Sequence, residues 1–556
     1  METTQSLKYL RILVIVTCVA VTFSILPRGS IDPMNLPKLI TLTFFGFVSG
    51  GLALSQFEFW RKPKNRILAI LVTSFVAQLF FVFLLDGRDF AVKFYGIHGR
   101  NTGFLAYLAL TFMLIASAIA SNKKLLIYLS YTLISTGALL GVYGIFQANN
   151  LDLFKYDNIY ASNVFGTFGN PNFHSAFMGI AGAAGLALLA YGGQSLIIKV
   201  SLFVVILITG FNITKSSEQG FLTIAAGFWA STTLFVYLRN RRNIGHAFVT
   251  IGLVAAGLVF LGILNKGPLA ELLFKSSLQA RGFYWRAALE MMESKPFTGV
   301  GMDGFGDWYR RSRSVSAAIS GPETVADSSH NVLLDIGSSG GFPLLIIYLV
   351  LIVITLLSIS RFIKSRPGIE PFYIAVVGAW VAYQAQSLIS INQLGLGIWG
   401  WVLSGAIIGY ERNPLETESS PSGRMPKQKQ KPVKLSRSAK VTTLCFGLIA
   451  TVSVMPVYLG ARGFYQSLVS ANPDSIIKSI YREPHDRFFF IYVARVMLAN
   501  QRDKDAIEIL EFASRKYPDS TEVWQVWTTV PTVSPTQLSI AKAELKRLDP
   551  YNPNLN

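Results

Sequence analysis

The stretch GFPLLIIYLVLIVITLLSIS, residues 341–360, carries no charged side chain over 20 residues. A helix rises 1.5 Å per residue, so this run covers roughly 30 Å, the thickness of a bilayer's hydrocarbon. Upstream lies the polar ADSSHNVLLDIGSSG, residues 326–340, and downstream the basic RFIKSRPGIE, residues 361–370. A polar turn, an apolar run and a basic turn in that order are the pattern of a membrane span with its basic end in the cytoplasm. The rest of the chain agrees. Of 556 residues 51% are hydrophobic and only 15% charged, and the mean hydropathy is +0.43. The fold class is therefore all-α, a polytopic membrane protein, because backbone polar groups in lipid must be satisfied within the segment.

Thirteen spans are expected, near residues 10–26, 38–56, 67–85, 103–120, 125–146, 171–191, 196–213, 218–238, 246–264, 341–360, 371–391, 394–411 and 441–459. The first is read as an uncleaved span rather than a signal peptide, since no small-x-small site precedes LPRGSIDP. With the N-terminus in the cytoplasm, the loops EFWRKPKNR, SNKK, RNRRN and RFIKSRPGIE all fall inside, as the positive-inside rule requires. The net charge of +19 thus belongs to cytoplasmic loops and not to nucleic acid. Cys18 and Cys445 both sit in apolar runs, so no disulfide framework is implied.

The expected organisation is a membrane core over 1–411 with a large extracytoplasmic loop at 265–340, a basic linker at 412–440, a last span at 441–459 and an extracytoplasmic region over 460–556. The linker is rich in Pro, Ser and Lys without apolar period, the composition of a disordered segment. In the last region DRFFFIYVARVMLANQ and KDAIEILEFASRKYP read as amphipathic helices. A Pro-anchored start recurs from Pro484 to Pro518, an interval of 34. That period suggests a tetratricopeptide-like helical repeat, a type that binds partners or braces a neighbour.

Chemistry is expected in loop 265–340. Arg281 and Arg286 flank Trp285 on one predicted helix and offer two permanently charged forks for phosphate. The same residues also fit a juxtamembrane anchor, with the indole at headgroup level. His330 can hold or release a proton near neutral pH, and Asn331 beside it can orient a sugar or an amide. The glycines of GVGMDGFG do not form a phosphate loop, since no strand precedes them and no Gly-Lys-Ser/Thr follows. Asp303, Asp307 and Asp327 are scattered, and no second His, Cys or carboxylate stands at metal-ligand spacing, so neither metal nor cofactor is expected.

Four ordered segments then converge: GTFGNPNFHSAFMGI (166–180), ARGFYWRAAL (280–289), PFTGVGMDGFG (296–306) and SSHNVLLDIGSSGGF (328–342), with GRNTGFLAYL (99–108) ahead of them. Together they resemble the O-antigen ligase and Wzy polymerase superfamily, which includes protein O-oligosaccharyltransferases. The resemblance covers roughly residues 90–410. It implies a GT-C-like, metal-independent membrane glycosyltransferase that takes a glycan from a polyprenyl diphosphate, usually undecaprenyl, at the outer face of the cytoplasmic membrane. Its acceptor is a glycan, a lipid or a protein. By position Arg281 and His330 match the family's functional arginine and histidine. Arg286, Lys215, Asn331, Asn172 and Arg100 are the substrate-binding candidates. Lys215 stands in TKSSEQGF, where many members carry an arginine. Asn172, with His174, opens the sixth span at a turn that also reads as simple capping and small-residue packing. The competing readings are a lipid-linked glycan transporter or a non-catalytic assembly scaffold.

Overall fold

The computed structural model describes residues 2–154, 163–273, 276–365, 368–412 and 435–555. Most of the expected linker, residues 413–434, lies outside the described residues. The chain is 77% helix, without a strand among the described residues. A helix stands at each of the thirteen expected spans, and ten of these are long and apolar enough to cross a membrane. The other three differ for a physical reason. Phe104–Ala120 and Pro371–Ser387 have 17 residues each, and Leu394–Arg412 is glycine-rich. All three are buried along nearly their whole length. A helix enclosed by other helices needs shape more than hydropathy.

Leu394–Arg412 packs against Phe104–Ala120 with Gly405 and Gly409 facing the backbone of Leu114 and Ala118. Ser117 Oγ donates to the Val402 carbonyl at 2.7 Å and Ser121 Oγ to the Ala406 carbonyl at 2.6 Å. Small residues and short interhelical hydrogen bonds replace the hydrophobic effect, which lipid does not supply. Two of the indoles at the centre are satisfied too: Trp380 donates to Ser404 at 2.8 Å and Trp399 to Thr22 at 2.9 Å. Leu196–Ser216 and Arg242–Ile263 instead leave most large apolar side chains uncovered, as lipid-facing helices do.

Helix Val332–Ser365 begins nine residues before the expected span at 341 and breaks at Gly341, where φ is +73°. There Phe342 N–H donates to the Pro296 carbonyl at 2.8 Å and Val300 N–H to the Ser338 carbonyl at 2.7 Å. A side chain at Gly341 would meet the Pro296 carbonyl. The break thus docks the glycine-rich turn 296–306 onto the start of this helix. The helix containing the last expected span, Arg437–Val469, runs ten residues past 459. Helices Pro473–Ile480, Arg487–Ala499, Asp503–Lys516, Thr521–Trp527 and Pro535–Leu548 follow, around a core of their own that includes Phe490, Ile509 and Val523.

The C-terminal helices lie on the loops at one end of the bundle. Arg313 Nη2 meets both Asp549 oxygens, at 2.7 and 2.8 Å, with neither side chain exposed. Arg487 bridges Asp307 and Glu522, Lys516 reaches Asp89 at 3.4 Å, and His98 N–H donates to Asp486.

Candidate active site

His330 sits on the turn that leads into Val332–Ser365, with φ +54°. The turn is built by its neighbours. Asp335 accepts from Ser328 Oγ at 2.8 Å, from Ser329 N–H at 2.8 Å and from Ser329 Oγ at 2.9 Å. Ser328 Oγ in turn accepts from His330 N–H at 2.9 Å. Asn331 caps the helix, accepting from Leu333 N–H at 3.0 Å and Leu334 N–H at 3.2 Å while donating to the Leu388 carbonyl at 3.0 Å. Both halves of its amide are therefore engaged by the protein.

Facing this turn is helix Ser276–Ser294. Tyr284 stacks on the His330 ring with centroids 5.7 Å apart. Arg281 lies one turn before Tyr284 on the same face. Its guanidinium is half-buried and has no carboxylate partner among the described residues. Burial lowers its pKa, with Tyr284 opposing. Burial also pushes the His330 imidazole down to about 4, with Arg281 and then Arg100 adding to the effect. The imidazole is thus neutral at pH 7, with both cations opposing its protonation.

Arg100 is the second cation. Its Nε is 3.2 Å from Asp303 Oδ1, its Nη2 3.7 Å from Asp335 Oδ2, and its Nη1 donates to the Asp327 carbonyl at 2.8 Å. Asp303 also accepts from Ile97 N–H, Thr102 N–H and Thr102 Oγ1. So Arg100 ties loop 96–103 to the His330 turn through carboxylates that the sequence shows only as scattered acids. Among the described residues no group of His, Cys, Asp and Glu is disposed to hold a metal ion.

The remaining candidates stand apart. Arg286 is exposed, five residues from Arg281 and so about 140° away around the helix. The two guanidiniums do not form one fork. Trp285 between them stacks on Phe260 of Arg242–Ile263, as an anchor would. Lys215 is exposed at the end of Leu196–Ser216, with its ammonium 6.0 Å from the Phe211 ring. Neither it nor Arg286 is among the charges that act on His330. Asn172 is half-buried in the first turn of Pro171–Tyr191, where Asn170 accepts its N–H at 2.8 Å as the cap. His174 is fully buried and its Nε2 is 3.0 Å from Asn212 Oδ1.

Sequence reasoning passed over Tyr284 and Asp335, and read Asp303 only as one of three scattered acids. The spacing of three from Arg281 to Tyr284 carried a signal for the first. The carboxylates gave none, because they pair across separations of 201 residues and more with the 96–103 loop.

Residues 172–349 match the family model described as O-antigen ligase. That range holds every candidate above except Arg100. No curated protein matches the chain.

Proposed function

From the O-antigen ligase domain at residues 172–349, which supports membership of the O-antigen ligase and Wzy superfamily, we propose that this protein moves a glycan from a polyprenyl diphosphate to an acceptor hydroxyl at the outer face of the cytoplasmic membrane. The family supports a membrane glycosyltransferase. The single observation that carries the finer reading is the Arg281 guanidinium, without a carboxylate partner among the described residues, on the helix face whose Tyr284 stacks on His330.

The leaving group is a diphosphate, whose negative charge grows as the glycosidic bond breaks. A half-buried guanidinium without a carboxylate stabilises that charge far better than one in water. Arg281 takes this role. Arg100, already held by Asp303 and Asp335, contributes field and fixes the turn. The acceptor hydroxyl must lose its proton as it attacks the anomeric carbon. Neutral His330 accepts it, a general-base effect of about 10²–10⁴-fold. The arriving diphosphate also counters the two cations and makes the imidazole a better base when substrate is bound. The C-terminal helices, read as tetratricopeptide-like, brace the loop that carries these groups.

The test is turnover by purified protein in proteoliposomes, supplied with undecaprenyl-diphosphate oligosaccharide and a hydroxyl acceptor. His330→Ala and Arg281→Ala are expected to lose about 10²–10³ in kcat. Translocation of the lipid-linked glycan without product from the wild type would instead make the chain a transporter.

A further inference from the structure

Away from His330, a cleft of about 280 Å³ opens between the outer loop and the C-terminal helices. Its floor is Val82 and Leu85, at the end of span Pro63–Leu85, so it lies at the membrane boundary. One wall is Lys295 and Trp308 from the loop, and the other is Asp519 and Ser520 from the C-terminal helices. Ion pairs stitch the walls together: Arg487 spans Asp307 and Glu522, and Arg311 reaches Asp519 at 3.3 Å. Trp308 is half-buried among these charges, with the Arg311 guanidinium 4.3 Å from its ring centre. The exposed Lys295 ammonium lies 4.4 Å from the same ring and has no carboxylate partner among the described residues.

We propose that this cleft is a saccharide-binding subsite. The inference rests on the glycosyltransferase reading above and adds where part of a glycan is held. An indole gives a flat apolar platform for the C–H face of a sugar ring. The Asp519 carboxylate and the Lys295 ammonium that line the cleft with it can accept from and donate to ring hydroxyls, the mixture that gives small-molecule sites their orientation. Lys295, free of a carboxylate and on a flexible stem, swings off the ring to admit the sugar and then donates to it. Its volume, just under the roughly 300–1,000 Å³ of small-ligand pockets, suits a short saccharide. Two sources share this chemistry, the glycan of the donor and the glycan of the acceptor.

The experiment uses the full chain in proteoliposomes and two readouts. The first is binding, by saturation-transfer NMR, of the oligosaccharides released by mild acid from the native donor pool and from the acceptor. The second is KM for each intact substrate. Trp308→Ala and Lys295→Ala are expected to weaken binding and raise one KM by about three- to tenfold, with kcat within twofold. Trp308→Phe should retain most of the affinity. A rise in the donor's KM assigns the cleft to the donor glycan, and a rise in the acceptor's assigns it to the acceptor. Binding by wild type that survives both alanine substitutions, or no binding at all, overturns the subsite. Lys295→Ala keeps the test valid if Trp308→Ala does not fold, because Lys295 is exposed. The binding arm needs no turnover, so loss of the enzymatic reading leaves this result legible on its own.

Discussion

Asn331 separates the two kinds of residue at this centre. It sits beside His330, where a sugar-binding amide would be, yet its oxygen caps a helix and its NH₂ reaches Leu388. Asn331→Ala is therefore expected to lower stability by about 0.5–2 kcal/mol, the usual cost of a lost cap. Thermal unfolding should show that loss while KM for the donor stays within twofold; a tenfold rise in KM would return Asn331 to the binding set. Arg281 is the opposite case, a half-buried cation with no carboxylate partner among the described residues. Sequence alone marked Arg281 and His330 because a cation and an imidazole in an outer loop suit diphosphate chemistry. It grouped Arg286 with Arg281, because two arginines near one tryptophan look like a fork until the helical angle between them is counted.

At the scale of elements, the glycine-rich turn 296–306 and the broken helix Val332–Ser365 are one device. Gly341 takes φ +73° so that the Pro296 carbonyl can receive Phe342 N–H, and Gly299, at φ +57°, packs against Ser338. Gly341→Ala would place a methyl against that carbonyl and cost roughly 1–3 kcal/mol for the backbone alone, whose positive φ and extended ψ essentially only glycine adopts. The expected result is a lower Tm together with a fall in kcat larger than any change in KM, because the helix start at Val332 that follows the His330 turn lies only nine residues before Gly341. The spans themselves were legible, since apolar runs of about 20 residues have one physical reading. The break was not, because a glycine before a proline in such a run gives no sign of the loop that will dock there. Pro371–Ser387 and Leu394–Arg412 were placed correctly but are enclosed helices, a distinction that only packing reveals.

At the scale of the whole molecule, the C-terminal helices are held to the outer loop by a buried ion pair. Arg313 and Asp549 are both fully buried. Asp549→Ala leaves Arg313 uncompensated and is expected to destabilise by about 3–5 kcal/mol, whereas Arg313→Met with Asp549→Leu should recover most of it. Thermal unfolding of the three proteins in detergent measures this; equal losses in the single and double variants would assign the cost to packing instead. Such a pairing, 236 residues apart in sequence, has no local signature. The same assembly brings Arg100 from the loop before one span and Arg281 from the loop after another to bear on His330. The most direct test of that arrangement is the acid limb of kcat/KM, which reports the free enzyme's base. A base held at about 4 by burial and two cations stays neutral as pH falls through 6, so the wild-type limb should inflect near 4. Arg281→Ala removes one cation, and its residual activity should show the limb moved upward, toward the unperturbed value near 6.5. A wild-type inflection already near 6.5, or no upward movement in Arg281→Ala, would contradict the pairing of Arg281 with His330.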